Sequence, residues 1–285
     1  MPLLRLQRVL THDTGHRRVF TVEGTAGESH FKAQALSGDI PGRGDIPGSG
    51  GHSLLYRREN QECPPSGKEC PPLREGVSPA PFVTFEGVEG SGKTTQLRRL
   101  SAHLAAKKFP HIVTREPGGT PLADEIRGLV LTPREETVFP EAELLLYEAA
   151  RAQHVRGLIL PALLSGRAVL CDRFSDATTA YQAQARGLDP EQVERLNRFA
   201  AGELVPALTL LLDLPPEDGF ARIKGRRLAA DRLERESLSF HRAVRDGYLR
   251  LAEREPGRIV RIDAALPEEE VSRDVLRAVA HRFGW

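Results

Sequence analysis

The sequence predicts an α/β fold: a doubly wound parallel sheet of five strands, flanked by helices on both faces. From residue 81 onward, short apolar runs alternate with amphipathic segments, and a glycine-rich loop joins the first run to the first segment. Such alternation is typical of parallel strands linked by crossover helices. Because ligands of these sheets bind beyond the carboxyl ends of the strands, we expect the functional residues directly after each strand.

The first predicted strand, PFVTFE at 81–86, runs directly into the loop GVEGSGKT. The loop matches G-x-x-x-x-G-K-[ST] and precedes a helix-compatible stretch, which together predict a P-loop rather than a turn that binds nothing. Its glycines let N–H groups point at a phosphate, Lys93 is expected to reach the β- and γ-phosphates, and the Thr94 hydroxyl to bind Mg²⁺. The predicted ATP-binding residues of the loop are Gly87, Val88, Glu89, Gly90, Ser91, Gly92, Lys93, Thr94 and Thr95.

The remaining predicted elements follow in the same alternation. The second to fifth strands are HIVTRE at 111–116, AVLCD at 168–172, ALTLLLD at 207–213 and GRIVRID at 257–263. The amphipathic segments are 121–131, 141–164, 189–203, 216–226, 235–254 and 267–282.

Polar residues follow these strands, as the fold requires. The second strand leads into TREPGGTP, whose glycines let backbone approach a ligand closely. The third ends at Asp172, where a P-loop protein usually keeps an acid associated with Mg²⁺, and Arg173 comes next. The fourth leads through a helix into KGRRLAADRLERE, a basic stretch that suits a mobile lid over phosphates at about 224–235. Any one of these arginines alone is equally compatible with solvated surface charge.

The first 80 residues have a different composition. They hold 11 of the 26 glycines and 8 of the 21 prolines, with short repeats such as GDIPGRGDIPG, so we predict a largely disordered, dispensable extension. If translation starts at a non-ATG codon at Val77, residues 1–76 are not translated at all, and N-terminal sequencing that finds them intact would refute this. Cys63 and Cys70 lack a nearby histidine or Cys-x-x-Cys partner, which favours exposed thiols over a zinc site.

Charge and cysteine content narrow the functional classes. The 285-residue chain has 40 Lys and Arg against 39 Asp and Glu, so no excess charge favours nucleic acid or a membrane surface as a partner. No run approaches the roughly 18 apolar residues of a membrane span. Three cysteines do not make a disulfide framework. We therefore expect one cytoplasmic domain over 81–285 that binds neither nucleic acid nor membrane.

Five segments, in this order and spacing, resemble bacterial thymidylate kinases: EGVEGSGKTTQ, TREPGGT, EAARAQH, CDRF and LAADRLERE. The resemblance covers residues 81–285 and implies a nucleoside monophosphate kinase. Its implied reaction is transfer of the ATP γ-phosphoryl group to dTMP, giving dTDP and ADP, by a homodimer that uses Mg²⁺. The metal would be held by Thr94 and Asp172, directly or through water.

The resemblance also implies which residues handle the phosphates. Glu89 matches an acidic residue near the acceptor 3′-hydroxyl, and Arg115 lies in the loop that closes over the acceptor. Arg127 matches an arginine that holds the dTMP phosphate, and Arg173 matches one placed where the donor and acceptor phosphates meet.

A second set of residues is implied for the bases and sugar. Arg151 matches the arginine that hydrogen-bonds thymine, and Tyr147, one helical turn earlier, falls where an aromatic ring stacks on that base. Thr178 falls at the base edge, and Tyr181 where a ring crowds the 2′ position of the sugar. Ala264 falls in the loop against the ATP adenine. For Tyr147, a place in the core beside its neighbouring leucines is the alternative.

The catalytic arginine of the lid is left open between two neighbours. The P-loop carries no arginine, which resembles the subgroup whose catalytic arginine comes from the lid, and Arg227 aligns best with it while Arg226 is adjacent. After Tyr181 the family often has several glycines, whereas this chain departs from that pattern and reads QAQARG at 182–187.

Three alternative functions are weaker. A uridylate, cytidylate or adenylate kinase would share P-loop and lid but is expected to lack TREPGGT. A P-loop switch protein normally shows an N-K-x-D motif, which this sequence lacks. A phosphate-binding protein without activity is expected to have lost Lys93, Thr94 or the arginines, and all are present. Preference between dTMP and dUMP stays open.

Overall fold

The computed structural model describes residues 80–202, 204–224 and 231–285, together with the backbone of 5–13, 18–26 and 29–37. The chain divides into two compact units, Met1–Pro65 and Ser66–Trp285.

The first unit contains three antiparallel strands in the order β1-β2-β3. They are β1 (Arg5–Asp13), β2 (Arg18–Ala26) and β3 (Ser29–Ser37). The sequence predicts a segment without regular elements, and the structure differs by showing these strands. Within β2, the stretch FTVE at 20–23 alternates apolar and polar residues, a pattern that favours a strand. That residues 1–80 are largely disordered and dispensable, and that 1–76 is untranslated, stay predictions. Cys63 and Cys70 lie outside the described residues.

The second unit is built on a parallel five-stranded sheet in the order β5-β6-β4-β7-β8, which confirms the predicted fold class and all five predicted strands. The strands are β4 (Phe82–Glu86), β5 (His111–Arg115), β6 (Ala168–Asp172), β7 (Leu208–Asp213) and β8 (Ile259–Asp263). After β4, the chain forms β5 and β6 on one side of β4, and then forms β7 and β8 on the other side. The reversal therefore lies at β4, and the crevice at its carboxyl end is where such sheets bind ligands.

Nine α-helices and two π-helical segments lie in the described residues of this unit. The α-helices are α1 (Lys93–Ala106), α2 (Pro121–Leu131), α3 (Pro140–His154), α4 (Leu160–Leu164), α5 (Ser175–Thr178), α6 (Pro190–Ala201), α7 (Pro216–Ile223), α8 (Leu238–Arg254) and α9 (Glu268–Phe283). The π-helical segments, Val155–Ile159 and Thr179–Ala185, follow α3 and α5. The single helix predicted over 141–164 is therefore α3, a π-helical segment and α4 in succession.

The helix starts follow from local sequence. The side chains of Thr120, Asp189 and Ser237 accept hydrogen bonds from backbone N–H groups in the first turns of α2, α6 and α8. Pro121 and Pro190 occupy the first position of their helices, where the missing N–H has no intrahelical partner in any case.

Hydrophobic side chains fill both faces of the sheet. Along β4, Val83 and Phe85 join the larger core with α1, α8 and α9, while Phe82 points to the opposite face. There its ring meets Phe174 edge-on at 4.9 Å between centroids. Within the described part of the chain, no helix has the length and apolar character of a membrane span.

Candidate active site

The P-loop joins β4 to α1, as predicted. Gly90 and Gly92 have φ values of 74° and 92°, a left-handed conformation that L-residues adopt only at a cost in energy. The Lys93 ammonium donates to the carbonyl oxygens of Gly87 at 3.0 Å and Val88 at 2.9 Å, so its side chain curls back over the loop. This strand–loop–helix arrangement is the structural context that a functional P-loop needs.

The electrostatics of Lys93 suit an anionic ligand. Burial, reinforced by the positive charge of Arg173, lowers the pKa of Lys93 from 10.5 to about 8. A phosphate beside the ammonium group would favour its charged form again. The Lys93 ammonium group is therefore partly desolvated in the loop, and a bound anion would stabilise its protonated form.

A hydroxyl and a carboxylate meet at the end of β6. The Thr94 hydroxyl donates to Asp172 Oδ2 at 2.8 Å, and the Thr94 side chain is exposed to the cleft. Oxygen donors of this kind suit Mg²⁺, which keeps several waters and binds one or two protein groups together with substrate phosphates. The described residues contain no cluster of three or more His, Cys, Asp or Glu that would hold a metal by itself. Thr94 and Asp172 therefore fit a metal that arrives with a nucleotide.

Arg173 follows β6 and is held on both sides of its guanidinium group. Its backbone is left-handed, with φ of 71°. Nη2 donates to Glu89 Oε1 at 2.8 Å and to the Tyr181 hydroxyl at 3.0 Å, and Nη1 donates to the Tyr248 hydroxyl at 2.9 Å. Tyr181 in turn donates to the same oxygen of Glu89 at 2.5 Å. The arginine is thus fixed between the P-loop and two helices before any ligand binds.

Glu89 is the acid of this arrangement. Burial by itself would raise the pKa of Glu89, but the charge of Arg173, with further contributions from His241 and Lys93, lowers it below its usual range. Glu89 Oε2 lies 3.1 Å from His241 Nδ1. Glu89 is therefore ionised throughout the neutral range and balances part of the positive charge of the cleft.

A second carboxylate lies behind Arg173. Glu86, the last residue of β4, is completely buried, and accepts hydrogen bonds from the Tyr248 hydroxyl and the Phe174 N–H, each at 2.7 Å. Burial, with the nearby negative charge of Asp176, raises the pKa of Glu86 to about 8. Sequence reasoning missed Glu86 and Tyr248. The only signal was a glutamate at the end of a largely apolar strand.

Arg151 lies in a buried network of side chains from three helices and a loop. Nε donates to Glu116 Oε2 at 2.8 Å, and Nη1 donates to Glu148 Oε1 and Asn197 Oδ1, each at 2.7 Å. Nη2 donates to the Thr178 hydroxyl at 2.9 Å. The predicted base-binding arginine and the predicted base-edge threonine are therefore in direct contact.

Two arginines on the other side of the cleft have fewer partners. Arg127 Nη1 donates to the Pro117 carbonyl at 3.0 Å, and Arg115 Nη2 pairs with Asp124 at 2.9 Å. Burial and the neighbouring charge of Arg115 lower the pKa of Arg127. Tyr147 is partly buried against the larger core and also lines the cleft, and its role in stacking on the base stays a prediction. Burial raises its pKa.

Many of these groups line one cleft of about 250 Å³ at the carboxyl end of the sheet. Twelve of the predicted site residues lie on its wall: Glu89, Gly90, Lys93, Thr94, Arg115, Arg127, Tyr147, Arg151, Asp172, Arg173, Thr178 and Tyr181. Ala264 does not, because its side chain is buried in the larger core and its N–H donates to the Asp213 carbonyl at 2.9 Å. Arg226 and Arg227 lie outside the described residues, but Asp231 and Leu233, in the described part of the predicted lid, line the cleft.

Fold and site together define a P-loop nucleotide kinase. A phosphate-binding loop lies at the point where the strand order reverses, a hydroxyl–carboxylate pair stands beside it, and several arginines converge on the same cleft.

Comparison with known proteins identifies the family within this class. A family model described as thymidylate kinase matches residues 85–275, and the chain belongs to the thymidylate kinase family. The chain is 51% identical to the thymidylate kinase of Geotalea uraniireducens over 71% of its own length and 97% of that protein. It is 52% identical to the thymidylate kinase of Desulfosudis oleivorans, over 70% of this chain and 95% of that protein. It is 50% identical to the thymidylate kinase of Pelotomaculum thermopropionicum, over 69% of this chain and 91% of that protein.

Proposed function

We propose that this protein transfers the γ-phosphoryl group of ATP to dTMP, giving dTDP and ADP, in the biosynthesis of dTTP. Family membership supports this, and one observation carries it in the structure. The P-loop residues Lys93 and Thr94 share a single cleft with Arg151 and Thr178. Arg151 and Thr178 are the residues that the family resemblance implies for binding the acceptor base. Donor phosphates and acceptor nucleotide would therefore meet in one enclosed space.

The transfer needs little covalent work from the protein. The acceptor phosphate is already anionic at neutral pH, so no general base is required. The difficulty is the repulsion between two anions and their alignment in line. Lys93, Arg127 and Arg173 offer positive charge around the same space, and Arg173 is held in place by three hydroxyl or carboxylate oxygens.

Thr94 and Asp172 would hold Mg²⁺ delivered with ATP, directly or through water. The ion supplies charge that neutralises the phosphate oxygens. The hydrogen bond between the two side chains keeps both oxygens on the same side of the cleft.

Acceptor recognition is proposed for the other end of the cleft. Arg151 and Thr178 present donors at the base edge, and Tyr147 offers a ring for stacking. Tyr181 is fixed by its hydrogen bond to Glu89, which would hold its ring against the 2′ position and disfavour ribonucleotides.

A lid arginine is proposed to complete the charge around the transferred group. What supports it is the anchoring of the described part of the predicted lid: Arg232 Nε donates to the Val130 carbonyl at 2.8 Å, and the Asp231 and Glu234 side chains cap each other's N–H groups. An arginine supplied in this way contributes about 10³–10⁵ to the rate in related P-loop systems. If Arg226→Ala and Arg227→Ala each leave turnover within a few-fold of the parent, the assignment fails.

We also propose a homodimer. Its support is a set of apolar side chains that α2, α3 and the turn between them leave exposed, namely Leu122, Leu129, Phe139 and Leu145. Sedimentation of the parent and of a Leu122→Glu variant tests it, and a parent that sediments as a monomer at micromolar concentration would contradict it. Cytoplasmic localisation, and the lack of nucleic-acid and membrane partners, stay predictions from the sequence.

The reaction itself is tested by a coupled assay of ADP release with dTMP, dUMP, UMP, CMP and AMP as acceptors. We expect the highest kcat/KM with dTMP. A Lys93→Ala variant serves as the matched control for contaminating kinases, since it lacks the P-loop cation. Preference for any acceptor other than dTMP or dUMP would overturn the assignment to this reaction.

A further inference from the structure

We propose that His154 is a positioning residue for the acceptor base. It would act by fixing Glu116 and the loop 116–119, and through them the base-reading Arg151; this inference rests on the proposed dTMP kinase activity. His154 is the last residue of α3, is completely buried, and does not line the cleft. Any effect it has on substrate therefore passes through the side chains it contacts.

His154 and Arg151 hold the same carboxylate from opposite sides. His154 Nδ1 lies 3.0 Å from Glu116 Oε1, while Arg151 Nε donates to Glu116 Oε2 at 2.8 Å. A carboxylate oxygen accepts, so Nδ1 carries the proton of the imidazole. His154 Nε2 lies 2.7 Å from the Thr114 hydroxyl, which ties the ring to the end of β5. Each Glu116 oxygen thus has one buried partner.

The imidazole ring also supports the loop backbone. Gly119 has φ of 91°, and a Cβ at this position would lie 2.5 Å from the Cδ2 and Nε2 atoms of His154. It would also lie 2.6 Å from the Thr114 hydroxyl. The loop therefore rests directly on the ring, and the second glycine of TREPGGT is required here by close contact with His154 as well as by its left-handed conformation.

Helix geometry places His154 on the same face as the base-binding residues. Tyr147, Arg151 and His154 are separated by four and three residues, the spacings that bring side chains to one face of α3. The π-helical segment Val155–Ile159 begins immediately afterwards, and its wider turn ends this alignment. The stacking residue, the base-reading arginine and the positioning histidine are therefore consecutive along one helical face.

Removing the imidazole should affect dTMP and spare ATP. Without His154, Glu116 loses its partner at Oε1, and both Arg151 and the loop 116–119 lose their support. Among the described residues, the hydrogen bonds of Lys93 and Thr94 go to Gly87, Val88 and Asp172, which lie outside this network. We expect His154→Leu to raise KM for dTMP roughly tenfold, the usual effect of losing a hydrogen bond to a charged group, while KM for ATP stays within about twofold.

The experiment measures KM for both substrates and kcat in the ADP-release assay. His154→Asn retains a donor near the Nδ1 position and should recover most of the affinity for dTMP. His111→Gln is the matched control, because His111 is a partly buried histidine paired with Ser101 and remote from the cleft. A KM for dTMP that changes by less than about twofold in His154→Leu, or KM values that rise equally for both substrates, would overturn the inference.

A milder variant covers the case in which His154→Leu does not fold. Thr114→Val removes only the hydroxyl that supports Nε2, and we expect about a threefold rise in KM for dTMP alone. If KM stays unchanged for both substrates in Thr114→Val, the inference is overturned. Failure of the parent enzyme to phosphorylate dTMP would instead refute the proposed function, so the two failures are distinguishable.

Discussion

Replacing Glu86 by glutamine should remove a large pH dependence of stability. Glu86 is completely buried at the end of the central strand, and burial, with the negative charge of Asp176, raises its pKa from 4.5 to about 8. Glutamine has nearly the same shape. Its carbonyl oxygen can accept from the Phe174 N–H, as Glu86 Oε1 does, and its amide can donate to the Tyr248 hydroxyl. The substitution therefore changes ionisation more than packing.

The sign and size of the change in unfolding free energy with pH follow from the difference in proton binding between the folded and unfolded states. Between pH 4.5 and about 8, the folded protein keeps a proton on Glu86 that the unfolded chain has released, so this group lowers stability as the pH rises. At about 1.4 kcal/mol per pH unit, the full interval corresponds to roughly 5 kcal/mol. Below the unfolded pKa of 4.5 the two proteins should be equally stable, and above about pH 8 the difference should level off.

Urea unfolding of both proteins across pH 5–8, followed by circular dichroism, measures this difference. The free energy of unfolding of Glu86→Gln should rise relative to the parent by about 1.4 kcal/mol per pH unit. Other titrating groups, Lys93 among them, are common to both proteins and cancel. Glu253→Gln is the control, since Glu253 is an exposed carboxylate on the same helix as Tyr248. Parallel stability curves for parent and Glu86→Gln would refute the reasoning.

Three further substitutions probe the cleft. Gly119→Ala places a Cβ 2.5 Å from the His154 ring. We therefore expect KM for dTMP to rise about tenfold while KM for ATP changes little, and unchanged kinetics would contradict the contact. Thr94→Val removes an exposed hydroxyl next to Asp172. It should raise the Mg²⁺ concentration needed for half-maximal activity without shifting the unfolding midpoint, and an unshifted Mg²⁺ titration would count against a metal role. Arg173→Lys keeps the charge but cannot span its three partners, so kcat should fall about 10²-fold or more while both KM values change little; full activity would exclude a transition-state role.

Short-range patterns made much of the fold predictable. The strand AVLCD at 168–172 and the helix over 121–131 appear with the predicted bounds, because an apolar run and a Thr-Pro start are both local signals. The P-loop was predictable for the same reason, since its glycines, Lys93 and Thr94 are contiguous in sequence.

What could not be predicted depends on contacts between distant segments. The strand order of the sheet, and the pairing of Glu86 with Tyr248 across 162 positions, leave no local trace in one sequence. The π-helical segments after His154 and Thr178 were missed because their side-chain period is close to that of an α-helix. The burial of the Ala264 side chain follows from how β8 packs, which sequence spacing does not reveal, and its place beside the adenine stays a prediction.

If Arg151 reads the acceptor base as proposed, its anchoring by protein partners, which use four of its five N–H donors, has a consequence for how base preference can change during evolution. Its guanidinium is already ordered and desolvated by Glu116, Glu148, Asn197 and Thr178, so the entropy of fixing it is lost during folding and an arriving nucleotide meets a rigid template. The same rigidity makes the template hard to alter one residue at a time, because removing any partner leaves a buried charge or amide without its complement. A shift to another pyrimidine would therefore need coordinated replacements on several helices, and intermediates would pass through a less stable protein.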